Sequence, residues 1–173
     1  ASVLDPYLSA QHEGISLVGL LYPDLPGCSA DAHDKVAQLI DETRFSQPVL
    51  FAVEYALYAS LSARGVVADV VMGHSLGEYV AATVAGVMSL PDGLRLIAER
   101  ARIMHASDPK DGVMAACRLS PEQVDEAIQA LPAESRNKVS LAAVNGPKSV
   151  VVSGAREQVE EVFKSLHVGN RYK

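Results

Sequence analysis

The sequence predicts an α/β protein in two parts: an α/β portion over residues 1–110 and a smaller ferredoxin-like α+β portion over residues 111–173. Three observations carry this. Residues 47–104 read as helix, short β-branched strand, tight glycine turn, helix and helix, the element order of an α/β layer. A compact break, Asp108-Pro109-Lys110-Asp111-Gly112, follows. Beyond it the order becomes β-α-β-β-α, a ferredoxin-like unit lacking its last strand.

The elements follow in chain order. Residues 1–30 hold short apolar pieces between Pro, Gly and Ser and define no clear element. From Gln47 onward, Pro48 suits a first helical turn, and Leu50, Val53, Leu57 and Leu61 recur at helical spacing. Gly65 stands where a left-handed residue would close that helix. Residues 66–72 are a β-branched run that reads as a mostly buried strand. The run leads directly into Gly73-His74-Ser75-Leu76-Gly77, and residues 78–87, rich in Ala, read as a helix. Ser89 with Asp92 resembles a capping box, Pro91 falls in the first turn, and the periodicity lasts to about Met104. After the break, residues 113–119 read as a strand, and Ser120-Pro121-Glu122-Gln123 caps a helix through Ala130. Residues 139–144 and 149–152 are strands on either side of an Asn145-Gly146 turn. Residues 155–166 form the final helix, with Val159, Val162, Phe163 and Leu166 on one face.

Composition narrows the function. The chain has 173 residues, 49% hydrophobic and 21% charged, which excludes disorder, collagen and coiled coil. No apolar run approaches the ~18 residues of a membrane span, and no basic-then-apolar leader opens the chain. The net charge of −6 argues against nucleic acid. It is unevenly spread: residues 1–94 carry 3 Lys/Arg and 11 Asp/Glu, residues 95–173 carry 12 and 10. The C-terminal half is therefore the one suited to an anionic ligand or acidic partner. Cys28 and Cys117 fit no metal or redox spacing and read as buried, reduced thiols of a cytosolic protein.

The chemistry lies in Gly73-His74-Ser75-Leu76-Gly77, a G-x-S-x-G pattern between the expected strand and helix. A serine there occupies a sharp, strained turn with its hydroxyl exposed, and the flanking glycines are expected because side chains would strike neighbouring backbone. The first amides of the following helix, that of Leu76 above all, are placed to stabilise the oxyanion of an acyl-transfer intermediate.

Together with Gln47-Pro48-Val49-Leu50-Phe51 before it and Arg100-Ala101-Arg102-Ile103-Met104 after it, this motif, continued by Glu78, resembles the acyltransferase domains of polyketide and fatty acid synthases. It resembles the malonyl-CoA:acyl carrier protein transacylases equally. Asn145-Gly146-Pro147 and Val151-Val152-Ser153-Gly154 match as well, so the resemblance runs from about Arg44 to Lys173. It implies a hydrolase-like α/β subdomain with the ferredoxin-like unit inserted, both incomplete over these residues. By the same resemblance Ser75 is the acylated nucleophile, Leu76 gives an oxyanion-hole amide and His74 is its elbow neighbour. Arg100 pairs with the free carboxylate of a malonyl or methylmalonyl group, and Gln47 lines the pocket. Leu76 where other members carry Gln leans toward malonyl. A guanidinium suits Arg100's task because its planar fork holds a carboxylate bidentately and stays charged when partly buried. The implied substrates are an acyl-CoA thioester, malonyl-CoA foremost, and the phosphopantetheine thiol of an acyl carrier protein. Neighbouring synthase domains are the other implied partners, and no bound cofactor or metal is implied.

The sequence departs from the family pattern twice. No glycine- and glutamine-rich loop precedes residue 44, and the general-base histidine expected after the insertion's last strand has no counterpart. The chain by itself is therefore expected to be inactive or impaired. Of its five histidines, His74 is locked in the turn and His105 sits near a helix end, where the dipole favours it. His167 follows the last helix, and His12 and His33 have no motif around them. Arg100 also has a plainer reading, as part of a charged helix face with Arg95, Glu99 and Arg102. Two other functions compete. A serine esterase or thioesterase would need an acid and a histidine after Ser75, and the insertion and Arg100 count against it. A non-catalytic piece that only binds a carrier protein or neighbouring domains would account for the absent base.

Overall fold

The computed structural model describes residues 1–25, 38–107 and 111–167. Expectations for Cys28, His33 and the Asp108-Pro109-Lys110 part of the break fall outside the described residues. The chain is α/β and divides into two compact units, Ala1–Ser107 and Asp108–Lys173.

Among its described residues the first unit is helical. The stretch whose sequence defines no element folds into α1 (Asp5–Gln11) and α2 (Leu17–Leu21). Ser16 caps α2 by accepting from the Gly19 amide, and the Leu17 amide donates to the Asp5 carboxylate, tying the two helices together. α3 (Thr43–Ser62) begins a turn earlier than its proline suggested, so Pro48 lies inside the helix. Proline has no N–H to offer the preceding turn, and the burial of Phe45, Val49 and Phe51 around it holds the helix through that gap. Gly65 closes the helix at φ +85°, in the left-handed region expected of it. α4 (Gly77–Val84) and α5 (Leu90–Ser107) follow, the latter opened by the Ser89 hydroxyl accepting from the Asp92 amide and donating to its carboxylate.

One expectation about this unit fails. Residues 66–72 form no strand, and Val67, Val70 and Met72 are 82–88% exposed rather than buried. A buried parallel strand draws its ladder bonds from neighbouring strands, and no other strand lies in this unit among the described residues. The helical stripe Leu50, Val53, Leu57 and Leu61 is likewise exposed. The core instead gathers Leu4, Leu8, Phe45, Phe51, Ile97 and their neighbours, from α1, α3 and α5.

The second unit packs helices on an antiparallel sheet ordered β1-β3-β2, from β1 (Gly112–Cys117), β2 (Val139–Gly146) and β3 (Ser149–Ala155). α6 (Pro121–Ala130) starts with a full capping box, in which the Ser120 hydroxyl and the Gln123 amide side chain each accept from the other's backbone N–H. Such a cap contributes about 1 kcal/mol. Ser120→Ala should therefore lower this unit's stability by about that amount, read as a shifted urea midpoint at unchanged slope. The short helix α7 (Ala133–Arg136) carries no periodic signal in the sequence, and α8 (Arg156–Ser165) ends the fold. Val159, Val162 and Phe163 of α8 meet Val124, Ile128, Val150 and Val152 in the core. The hairpin turn falls two residues beyond its expected place. Gly146 still pairs with Ser149, so Pro147 and Lys148 make the loop. Irregular register along β2 and the fixed φ of Pro147, which suits a turn's second position, account for the shift. Cys117 carries a free thiol whose pKa burial pushes up, the state of an unreactive cysteine. Among the described residues no helix is long and apolar enough to cross a membrane, and no acidic, histidine or cysteine cluster could hold a metal ion.

Candidate active site

Ser75 stands immediately before α4 with φ +54°, a conformation costly for any residue with a side chain. The chain reaches it by folding tightly back. A Cβ placed on Gly73 would lie 2.0 Å from the Gly77 carbonyl carbon and 2.2 Å from the Glu78 nitrogen. Only glycine fits there. At Gly77 the expected collision is absent, because a Cβ would meet only the Glu54 carboxylate, at 3.7 Å. The two glycines of the motif thus play different parts. Gly73→Ala should cost about 1–3 kcal/mol, the usual range for forcing extra volume into a filled site. Gly77→Ala, at a helix's first residue, should be neutral or stabilising. Paired denaturation curves check both.

The turn hands its serine to a helix N-terminus. The Gly77 amide donates to His74, the Glu78 amide to Ser75 and the Tyr79 amide to Leu76, all through backbone carbonyls. Among the described residues the Leu76 amide has no acceptor, as befits an orphan donor of a first turn. It is free to take a developing oxyanion on a group bonded to Ser75. Ser75 and His74 are exposed and border a cleft of about 750 Å³ between α3, residues 70–72 and α4, with Leu50, Glu54, Tyr58 and Val80 on its walls. Arg100 and Gln47 do not line that cleft.

They meet elsewhere against α4. Arg100, half-buried on α5, donates through Nη1 to Oε1 of Gln47 on α3, and its guanidinium lies over the Tyr79 ring, 5.5 Å from the centroid. Tyr79 follows Ser75 by one helical turn, so the guanidinium stands beside the turn that the elbow opens. Gln47 is only 6% exposed, and its orientation is fixed: Nε2 donates to the Thr43 hydroxyl at 2.7 Å and to the Met104 sulfur at 3.4 Å. The side-chain carbonyl is therefore the end turned to Arg100. Tyr79 carries the cation on its ring face.

The charged-face reading of α5 separates into its members. Arg95 pairs with Asp92, and Arg102 forks onto Glu99, all of them solvated. The Ser89 hydroxyl, helped by Arg95, draws the Asp92 carboxyl below its usual range, and Arg102 does the same to Glu99. Arg100 takes no part, and among the described residues no carboxylate pairs with it. A half-buried guanidinium bonded to a neutral amide keeps its charge available for an anion.

His105 lies 4.0 Å from the Glu42 carboxylate, itself bonded to Arg44 at 2.7 Å, and His12 contacts the neighbouring Glu13 carbonyl. Neither is paired with Ser75.

Ser75, at positive φ before a helix N-terminus, thus stands next to an amide without an acceptor, and Arg100, with no carboxylate partner among the described residues, lies against the same helix. The acyl transferase domain family matches residues 4–172, and the chain belongs to that family. It is 50% identical over 126 residues to the polyketide synthase GfsA of Streptomyces halstedii, covering 73% of this chain and 2% of that one. Among solved structures, it resembles the acyltransferase domain from the second module of the salinomycin polyketide synthase (TM-score 0.73, 37% identity, 96% of this chain and 35% of that one). It also resembles the malonyl CoA-acyl carrier protein transacylase of Clostridium perfringens (TM-score 0.71, 30% identity, 97% and 49%). The chain thus spans a small fraction of the synthase and up to about half of the solved chains.

Proposed function

We propose that this chain is the nucleophile-bearing part of an acyltransferase domain. It would move a malonyl-type group from CoA, through an ester on Ser75, to the phosphopantetheine thiol of an acyl carrier protein. The observation that carries the reading is the turn: Ser75 at φ +54°, with the unpaired Leu76 amide beside it at the start of α4.

In the first half-reaction the Ser75 hydroxyl adds to the thioester carbonyl, and the Leu76 amide bears part of the oxyanion's charge. The C–S bond then breaks and the CoA thiolate leaves with the serine's proton, relayed by a histidine of the parent protein outside these residues. In the second half the carrier's thiol adds to the seryl ester and the C–O bond breaks, the thiol's own proton passing to the Ser75 oxygen. Arg100, steadied by Gln47 and Tyr79, holds the far carboxylate of the acyl group. That carboxylate is the acid partner Arg100 lacks among the described residues. The malonyl preference draws support from Leu76 and from the transacylase named among the solved relatives.

In this reading residues 1–110 form part of a hydrolase-like subdomain and residues 111–173 a ferredoxin-like one. The unit division after Ser107 and the strand order β1-β3-β2 support that arrangement, since a ferredoxin-like sheet places the second strand of its hairpin beside the first strand. The reaction needs no resident metal or cofactor, and its partners are CoA thioesters, a carrier protein and adjoining synthase domains of the cytoplasm. Brief incubation of the parent domain with malonyl-CoA should add one malonyl group to the intact mass, mapping to the Ser75 peptide. Protein that stays unmodified, or is modified elsewhere, overturns the reading.

A further inference from the structure

Glu78, the residue that closes the elbow motif, has no part in the mechanism above, yet its side chain turns back onto that motif. Its Oε1 accepts from the Gly73 amide at 3.0 Å. Gly73 is also the residue whose backbone presses on the Gly77–Glu78 peptide so closely that no Cβ fits. One side chain therefore bridges both ends of the segment that holds Ser75 at φ +54°. Within the segment, backbone bonds run from Gly77 to His74 and from Glu78 to Ser75, and neither takes up the Gly73 amide. Among the described residues the Glu78 carboxylate supplies the bond that pins the Gly73 end.

We propose that Glu78 is a positioning residue: its carboxylate clamps the Gly73 amide and so keeps the Ser75 turn in its strained, reactive shape. The inference rests on the acyl-transfer reading for its consequence, though the clamp itself does not. What the clamp requires is an acceptor with the reach of a glutamyl side chain. Charge is secondary, although an acid in a helix's first turn also gains from the dipole. A merely electrostatic role and a clamp therefore predict opposite results for two conservative changes. Glu78→Gln keeps reach and an acceptor oxygen but loses charge. Glu78→Asp keeps charge but is one methylene too short.

Each variant is scored on two readouts. The first is exchange of the Gly73 amide, followed by NMR in the 173-residue chain, which requires no activity. The second is the rate and KM of Ser75 malonylation by malonyl-CoA in the parent synthase. Glu78→Asp should speed Gly73 exchange and lower the maximal malonylation rate about tenfold at unchanged KM, the loss of one hydrogen bond to a charged group. Glu78→Gln should protect Gly73 and keep the rate within about threefold, since a neutral acceptor forfeits only part of that bond. The proposal is overturned if Glu78→Asp leaves Gly73 exchange unchanged. It fails equally if Glu78→Gln falls as far as Glu78→Asp, if exchange and malonylation do not move together, or if the loss appears in KM. Should the wild type not be malonylated at all, the acyl-transfer reading fails, and Gly73 exchange still decides whether the clamp exists.

Discussion

Ser75→Ala in the parent synthase is expected to leave a protein that binds CoA thioesters but transfers acyl groups at least ~10³-fold more slowly, the usual outcome of deleting a covalent nucleophile. Without the hydroxyl no seryl ester forms, and the two half-reactions lose their shared intermediate. The intact mass should stay unmodified after malonyl-CoA. Ser75→Gly tests the turn separately from the chemistry. Alanine keeps a Cβ and therefore the strain at φ +54°, whereas glycine occupies that region freely. Glycine should thus be more stable than alanine by about 1 kcal/mol, despite being equally inactive. Equal denaturation midpoints would mean that the turn stores no strain. Retained ester formation in either variant would place the nucleophile elsewhere.

What the sequence makes legible here is local. The caps at Ser89 and Ser120, the left-handed closure at Gly65 and the buried stripe Val159-Val162-Phe163 all appear where residue chemistry puts them. Each depends on neighbours within a turn or two. The rest depends on distant partners. Residues 66–72 have the composition of a buried strand, but a strand exists only through its ladder, and composition cannot say what lies alongside. Leu50, Val53, Leu57 and Leu61 lie on a helix as their spacing says, but spacing does not say which face is buried: among the described residues α3 buries Phe45, Val49 and Phe51. Two apolar faces on one helix are indistinguishable by periodicity until a partner chooses between them.

At the site, spacing identifies Ser75 because its geometry is dictated within five residues. It is silent on Tyr79, Thr43 and Met104, whose roles arise only when α3, α4 and α5 pack. Arg100 was ambiguous for the same reason. Its neighbours Arg95 and Arg102 find acids three residues away on α5, as helical spacing allows. Arg100 finds its amide partner 53 residues away.

Arg100→Ala is expected to change which acyl group Ser75 accepts more than how fast the serine reacts. The guanidinium is half-buried, oriented by Gln47 and Tyr79, and paired with no carboxylate among the described residues. A malonyl carboxylate would gain a charge-assisted, bidentate bond worth roughly 1.5–3 kcal/mol, about 10- to 100-fold in kcat/KM. An acetyl group offers nothing to that cation and leaves it partly desolvated. Removing the side chain should thus lower kcat/KM for malonyl-CoA by about 10- to 100-fold while transfer from acetyl-CoA holds or rises. Arg100→Lys should recover only part of the malonyl preference, because an ammonium keeps the charge without the planar fork. Measured in the parent synthase with both thioesters, the decisive quantity is the ratio of the two specificity constants. A parallel fall for both would make Arg100 a structural support for Gln47 and α4, and an unchanged ratio would return it to the solvated face of α5.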